Sequence, residues 1–282
     1  MSKLDGKIIG FIGGGKMVEA IAKGLISSNL VNPKNIFITD IFDERLDYLK
    51  EKYKVNTLNS NNNVKNGGNR EIIKKCDIII LGTSPQHSRD LLTDVGDEFK
   101  KGKNVVLSIM GGVTLEFLES FIKEAAVVRI MPNTPMLVNQ GVAGIALGKN
   151  ADKNEGEIAL EVFNSVGIAY LMPESLIDPL TSVSGCGPAY ACVFIQSLAD
   201  GGVEMGLPRD MAIKLAAQVL VGTGKMVLET NIHPEMLKDN VCTPGGGTIA
   251  GVRALEQGGF RGIVMDAVEG GLRRMEEVAK EA

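Results

Sequence analysis

Short apolar runs alternate with amphipathic stretches through the first half of the chain. Lys7–Ile12, Ile36–Thr39, Asp77–Leu81, Asn104–Ser108 and Val127–Ile130 are apolar and β-rich, and each stops at a turn or helix signal. Beyond the first run, Met17, Ala20, Ile21, Gly24 and Leu25 share one helical face. Further helices are predicted over Asp43–Tyr53 and Asp152–Val166, with Gly141–Leu147 and Ile168–Met172 as two final strands. This alternation predicts an α/β fold with a doubly wound parallel sheet and ligands at the carboxyl ends of its strands. After Pro173 the period changes. Tyr190, Phe194, Ile195 and Leu198 recur at helical spacing, as do Ile213, Leu215, Ala216, Val219 and Leu220. His233–Asn240 reads as a short helix, and Ile263 through Val278 as a long last one. The expected domains are therefore 1–173, binding a dinucleotide, and 174–282, all-α. The small residues of the second favour close helix packing, and a symmetric dimer is the simplest way to bury its spare face. The alternative is a bundle packed only on its own sheet domain.

Composition narrows the class. The chain has 282 residues, 44% hydrophobic and 23% charged, enough to bury a sizeable core. A net charge of −4 and the lack of tryptophan argue against nucleic-acid partners. Four cysteines without a CxxC pair, and only two histidines, argue against a metal cage. Reduced thiols, a polar Met1–Lys7 and no apparent membrane span lead to a cytoplasmic expectation.

Candidate chemistry lies first at Gly13-Gly14-Gly15, between a predicted strand and a predicted helix. Gly13 suits a tight turn and Gly15 a close backbone approach to a pyrophosphate, with the helix N-terminus facing the negative charge. Val18 occupies the third glycine position of the G-x-G-x-x-G pattern and weakens the match. Asp40 ends the second strand, where an acidic side chain accepts hydrogen bonds from a ribose 2′-OH and repels a 2′-phosphate. It favours NADH over NADPH; it can also cap the following helix. Strand ends place Gly82, Thr83, Ser84, Pro85, Ile109 and Met110 beside the cofactor. Asn133, in Pro-Asn-Thr-Pro, reaches the nicotinamide end or makes an Asx-turn. Asn59–Asn69, with six asparagines and two glycines, reads as a mobile surface loop whose start borders the adenosine site. In the second half, Thr243-Pro244-Gly245-Gly246-Gly247-Thr248 precedes an amphipathic run. Thr248 is a candidate N-cap, and the free amides and threonine hydroxyls suit a small carboxylate.

Four stretches together resemble pyrroline-5-carboxylate reductase: Gly10–Met17, Met131–Pro135, Ser184–Tyr190 and Asp239–Ile249. Asp200–Val203, Gly206–Pro208 and Glu256–Arg261 extend the likeness over nearly the whole chain. The resemblance implies a Rossmann-type domain followed by an all-α dimerisation domain, assembled as a homodimer and further as a decamer. It implies NADH or NADPH as hydride donor, with Ile12, Gly13, Gly14, Gly15, Lys16 and Met17 at the cofactor. It also implies a cyclic imine carboxylate as substrate, held by Thr243, Gly246 and Gly247, with Thr248 by the ring nitrogen. Glu174 and Asn240 match positions near substrate or nicotinamide. The chain departs from the family in three places. Thr83-Ser84-Pro85 stands where Val-Lys-Pro is usual, and Gly247 stands where threonine or alanine is common. Asn59–Asn69 resembles an insertion, leaving Asn61, Asn62 and Asn63 as candidates for the adenosine contact, Asn61 first. The implied chemistry is hydride transfer to a protonated imine, which calls for positioning more than acid–base groups. Two competing readings are a β-hydroxyacid-type dehydrogenase, with Lys214 or Lys225 as base, and a non-catalytic NAD-responsive dimeric regulator.

Overall fold

The computed structural model describes residues 2–60 and 67–281. The chain divides into two compact units, Met1–Gly185 and Cys186–Ala282. The division falls later than the period change at Pro173 on which the expected boundary rested. A short helical stretch after Pro173 belongs to the sheet unit. There Ile177 and Leu180 lie 3.0–3.2 Å from where a Cβ on Gly144 would stand.

The first unit is built on eight strands: β1 (Ile9–Ile12), β2 (Ile36–Asp40), β3 (Asn56–Asn59), β4 (Ile78–Leu81), β5 (Val105–Ser108), β6 (Ala126–Met131), β7 (Gly141–Leu147) and β8 (Gly167–Leu171). Their order is β3-β2-β1-β4-β5-β6-β7-β8. The helices between them are α1 (Lys16–Ser27), α2 (Asp43–Tyr53), α3 (Gly68–Lys75), α4 (Ser88–Val95), α5 (Leu115–Phe121), α6 (Lys153–Asn164) and the single turn α7 (Ile177–Leu180). Strands β1 to β6 are parallel. β7 runs antiparallel to β6, and β8 parallel to β7. The sheet is therefore mixed, a correction to the all-parallel expectation. Only a 3-10 turn, Thr134–Val138, joins β6 to β7, too short for the crossover that a parallel pair requires.

Alternate residues of the central strands feed two cores. Ile78 and Ile80 face one, with α1 and α6 residues such as Ile21 and Phe163. Ile79 and Leu81 face the other, with Ile72 and Leu92 of α3 and α4. Burial on both sides explains the unbroken apolar runs. β3 was not expected from the sequence. It is a half-buried edge strand, Asn-Thr-Leu-Asn, and needs no apolar run. The expected loop Asn59–Asn69 is accordingly trimmed, since Asn59 ends β3 and Gly68 starts α3. Asn61, Asn62 and Asn63 lie outside the described residues.

The second unit holds α8 (Gly187–Glu204), α9 (Arg209–Thr230), α10 (Pro234–Val241), α11 (Gly247–Gln257) and α12 (Phe260–Glu281). α8 and α9 meet through Ala199, Ala212 and Ala216, flanked by Ile195 and Val203. The Tyr190 hydroxyl donates to the carbonyl of Ala267, 3.0 Å away, tying α8 to α12. Large apolar side chains on α9 face outward, among them Leu215, Val219, Val221 and Leu228. By length and composition α9 could cross a membrane, with mean hydropathy 1.4, although no span was apparent from the sequence.

Candidate active site

The glycine turn sits where β1 gives way to α1. Gly13 has φ +95°, and a Cβ there would stand 3.0–3.1 Å from the backbone of Gly82 and Thr83. Gly13 donates to the Thr39 carbonyl at 2.9 Å, which closes the turn onto β2. α1 starts without a side-chain cap bond at Gly15, so its first amides keep their capacity for an anion. Val18, the mismatch in the fingerprint, is compensated across the sheet. A Cβ on Gly82 would lie 2.5 Å from Val18 Cγ2, so the missing third glycine is supplied by β4's turn.

A cleft of about 500 Å³ opens at this edge. Ile12, Gly13, Gly14, Gly15, Asp40, Gly82, Thr83 and Ser84, all among the expected cofactor residues, line it. Met110 is buried behind them, its sulfur 3.4 Å from the Thr83 hydroxyl. Ile109 also lies behind, 3.5 Å from a Cβ built on Gly82. Lys16, Met17 and Pro85 are not among the lining residues. Asp40 does more than end its strand. Its Oδ2 accepts the Gly14 amide at 2.7 Å and its Oδ1 the Phe42 amide at 3.1 Å. It does not cap α2, whose N-cap is Phe42 and has no side-chain cap bond.

Asn69, which the sequence reading passed over, lines the same cleft. Its Oδ1 accepts the Thr39 hydroxyl at 2.6 Å, leaving its Nδ2 as a donor. The available signal was an asparagine just ahead of the amphipathic Arg70-Glu71-Ile72-Ile73. His87 lines the cleft too and was likewise missed.

Beneath the turn is a polar cluster between α1 and α2. Arg45 donates from Nε to the Gly14 carbonyl at 2.6 Å and from Nη2 to the Gly15 carbonyl at 3.4 Å. The same Nη2 meets Glu19 Oε2 at 2.6 Å. Glu19 Oε1 accepts from the Tyr53 and Tyr48 hydroxyls at 2.7 and 2.9 Å, and from Lys52 at 3.2 Å. Burial pushes the Glu19 acid up, but hydrogen bonds from Tyr53, Arg45, Tyr48 and Lys52 outweigh it and hold the pKa at about 2.

Two expected positions are hydrogen-bonded within the sheet unit. Asn133 Oδ1 accepts the Val142 amide at 2.8 Å, and its Nδ2 donates to the Ser184 carbonyl at 2.9 Å. It clasps the β6–β7 reversal and makes no Asx-turn. Glu174 Oε1 accepts the Leu115 amide at 2.8 Å and pairs with Arg129 at 2.9 Å. Arg129 is almost wholly buried and has a second partner in Asp178 Oδ1, 3.4 Å from its Nη2, so Glu174 supplies the shorter of its two ion pairs. β8 runs opposite to the parallel strands, so Glu174 leaves the sheet at the edge away from the glycine turn and lines a separate hollow.

In the second unit the loop Cys242–Gly246 joins α10 to α11, and Asn240 sits exposed in the last turn of α10. Gly245 has φ +68°, and the Gly246 amide donates to the Thr243 carbonyl at 3.0 Å. A Cβ on Gly246 would fall 2.3 Å from Thr243 Oγ1, so the glycine makes room for that hydroxyl. Gly246 is the N-cap of α11, without a side-chain cap bond. Thr248 is thus the second residue of the helix and not its cap, a correction to the expectation. The tight Thr243–Gly246 turn ends the loop two residues earlier than the apolar pattern suggested. Gly247 has open space about its Cβ position, so its difference from the family's usual threonine or alanine is not imposed by this fold.

The glycine turn, the acidic end of β2 and the open helix N-terminus define a Rossmann-type dinucleotide-dependent oxidoreductase, and the cradle fits such a cofactor. The family model for pyrroline-5-carboxylate reductase dimerisation matches residues 174–278, and that for coenzyme F420-dependent NADP oxidoreductases matches 8–112. A pyrroline-5-carboxylate reductase of Methanosarcina acetivorans is 39% identical over 278 residues, covering 98% of this chain and 100% of that protein. One from Synechocystis is also 39% identical, covering 96% and 98%. The solved pyrroline-5-carboxylate reductase of Coxiella burnetii superposes with a TM-score of 0.89 at 30% identity, covering 96% of this chain and 98% of that one. The NADP-bound Plasmodium falciparum pyrroline carboxylate reductase gives 0.81 at 32% identity, covering 97% and 98%. This chain belongs to the pyrroline-5-carboxylate reductase family, NAD(P)H-dependent oxidoreductases that reduce 1-pyrroline-5-carboxylate to proline. That membership sets aside the hydroxyacid-dehydrogenase and regulator readings.

Proposed function

We propose that this chain reduces 1-pyrroline-5-carboxylate to L-proline with a hydride from NADH, and that Thr243–Thr248 holds the substrate carboxylate. The observation that carries the reading is the uncapped N-terminus of α11, with Thr243 Oγ1 seated against Gly246. Backbone amides at that end and the Thr243 hydroxyl suit a carboxylate in charge and in donor count. When bound, the dinucleotide supplies the hydride. The imine carbon accepts it, and the protonated ring nitrogen becomes a neutral amine. The Thr248 hydroxyl donates to that nitrogen as its charge is lost. The chain's work is therefore alignment, which accords with the absence of a nucleophile–histidine–acid set from the motifs. Asn240 is assigned to the nicotinamide side, and Asn69 Nδ2 joins Asn61 as a candidate for the adenosine side. Glu174 is left to the Arg129 pair. The outward apolar side chains of α9 are assigned to a second copy of the chain.

The activity is tested by mixing the protein with NADH or NADPH and pyrroline-5-carboxylate and following nicotinamide absorbance. Absence of oxidation with either cofactor refutes it. NADH preference rests on Asp40. The variant that tests it is Asp40→Asn, because an amide oxygen keeps an acceptor for the Gly14 N–H while the charge goes. The ratio of kcat/KM for NADPH to that for NADH is expected to rise about tenfold, the effect of roughly 1.4 kcal/mol. A wild-type enzyme that already prefers NADPH strongly would refute the premise.

A further inference from the structure

Arg45 is the only guanidinium hydrogen-bonded to the glycine turn among the described residues. It stands in the first turn of α2, just beyond the end of β2. That is the neighbourhood where an arginine accommodates a ribose 2′-phosphate in dinucleotide sites. Here its Nε and Nη2 donors go elsewhere, to the carbonyls of Gly14 and Gly15 and to Glu19. Glu19 is fixed in turn by Tyr48, Tyr53 and Lys52. The pair is well shielded, with side chains 27% and 16% exposed, which sets it apart from an ordinary surface ion pair. Glu19 stays ionised throughout the working range because those donors hold its acid at about 2.

We propose that Glu19 is a cofactor-specificity residue: by binding Arg45 it withdraws from the ribose end of the cleft the guanidinium that a 2′-phosphate needs. The inference rests on the dinucleotide reading of the cleft and goes beyond Asp40. Asp40 repels a 2′-phosphate; Glu19 removes the group that would offset the repulsion. The two act through separate contacts on the same residue, Asp40 on the Gly14 amide and Arg45 on the Gly14 carbonyl. Release from Glu19 would free the shorter of the two bonds made by Arg45 Nη2 and leave the side chain held only by the Gly14 and Gly15 carbonyls.

The test uses the full chain and the variant Glu19→Gln, which keeps shape and an acceptor for the tyrosines but drops the charge. Steady-state kinetics with NADH and NADPH are run on one preparation, so the fraction of folded enzyme cancels in the ratio. The NADPH/NADH ratio of kcat/KM is expected to rise about tenfold, with kcat for NADH unchanged. Adding Arg45→Met to Glu19→Gln should return the ratio to its wild-type value. An unmoved ratio, or equal losses with both cofactors, overturns the inference and leaves Glu19 a structural tie. A rise that survives in the double variant overturns it too, because the gain would not come from Arg45. Fluorescence titration of the wild type with NADH and NADPH tests the cleft separately. If neither binds, the cofactor reading itself fails; binding with an unmoved Glu19→Gln ratio sinks only the role of Glu19.

Discussion

Replacing Gly167 with alanine is expected to cost about 2–5 kcal/mol of stability, through backbone strain and overpacking together. Gly167 opens β8 at φ +157° and pairs with Gly141 of β7. A Cβ there would lie 2.1, 2.5 and 2.6 Å from the O, N and C atoms of Gly141. These are backbone atoms of a paired strand, so no rotamer change can relieve the clash. Gly141 cannot retreat freely either, since a Cβ on it would meet Met136 Cγ at 2.0 Å. The strand must shift, and with it the stretch after β8 that carries Glu174 and Ile177. Urea unfolding followed by circular dichroism measures the cost. A midpoint within error of wild type would show that the β7–β8 seam is softer than its geometry.

The second large effect concerns chemistry. Thr248→Ala is expected to lower turnover roughly 10–100-fold, at or a little below the range for a positioned proton-transfer group. Thr248 is exposed in its unit, so its loss should leave the melting temperature and the KM for NADH near wild type. Thr248→Ser, which keeps the hydroxyl, should recover most of the rate. An unchanged kcat/KM for the imine in the alanine variant would remove Thr248 from the reaction.

The legible parts of the fold were those set by local pattern. Ile78–Leu81 declares itself because both faces are covered. The helix Asp43–Tyr53 has the expected bounds, with Asp43 and Glu44 in its first turn. Gly13, Asp40 and Gly82 were legible because turn, strand end and cleft follow from one βα arrangement. What escaped depends on distant partners. β3 is polar because it lies at an edge, and β7 reverses because its connection is short. Val18 looked like a defect in a fingerprint, yet the space that it takes is ceded by Gly82, far along the chain. Asn133 and Glu174 carried the right residue types for a site, but the groups that occupy them, Val142, Ser184, Leu115 and Arg129, come from elsewhere in the sequence. Asn69 was hidden among asparagines, and only the hydroxyl of Thr39 singles it out.

The alanine seam between α8 and α9 has a consequence for how the protein behaves when scarce. Ala199, Ala212 and Ala216 bury little surface, while the larger Leu215, Val219, Val221 and Leu228 look outward. The helical half thus leaves large apolar side chains outward, on the face proposed above for a second copy. If that face is covered by a second copy, the helical half should lose stability on dilution, while the sheet half, with its own double core, should not, which thermal unfolding at two protein concentrations checks. Newly made chains would pass through a stage in which one half is finished and the other awaits company.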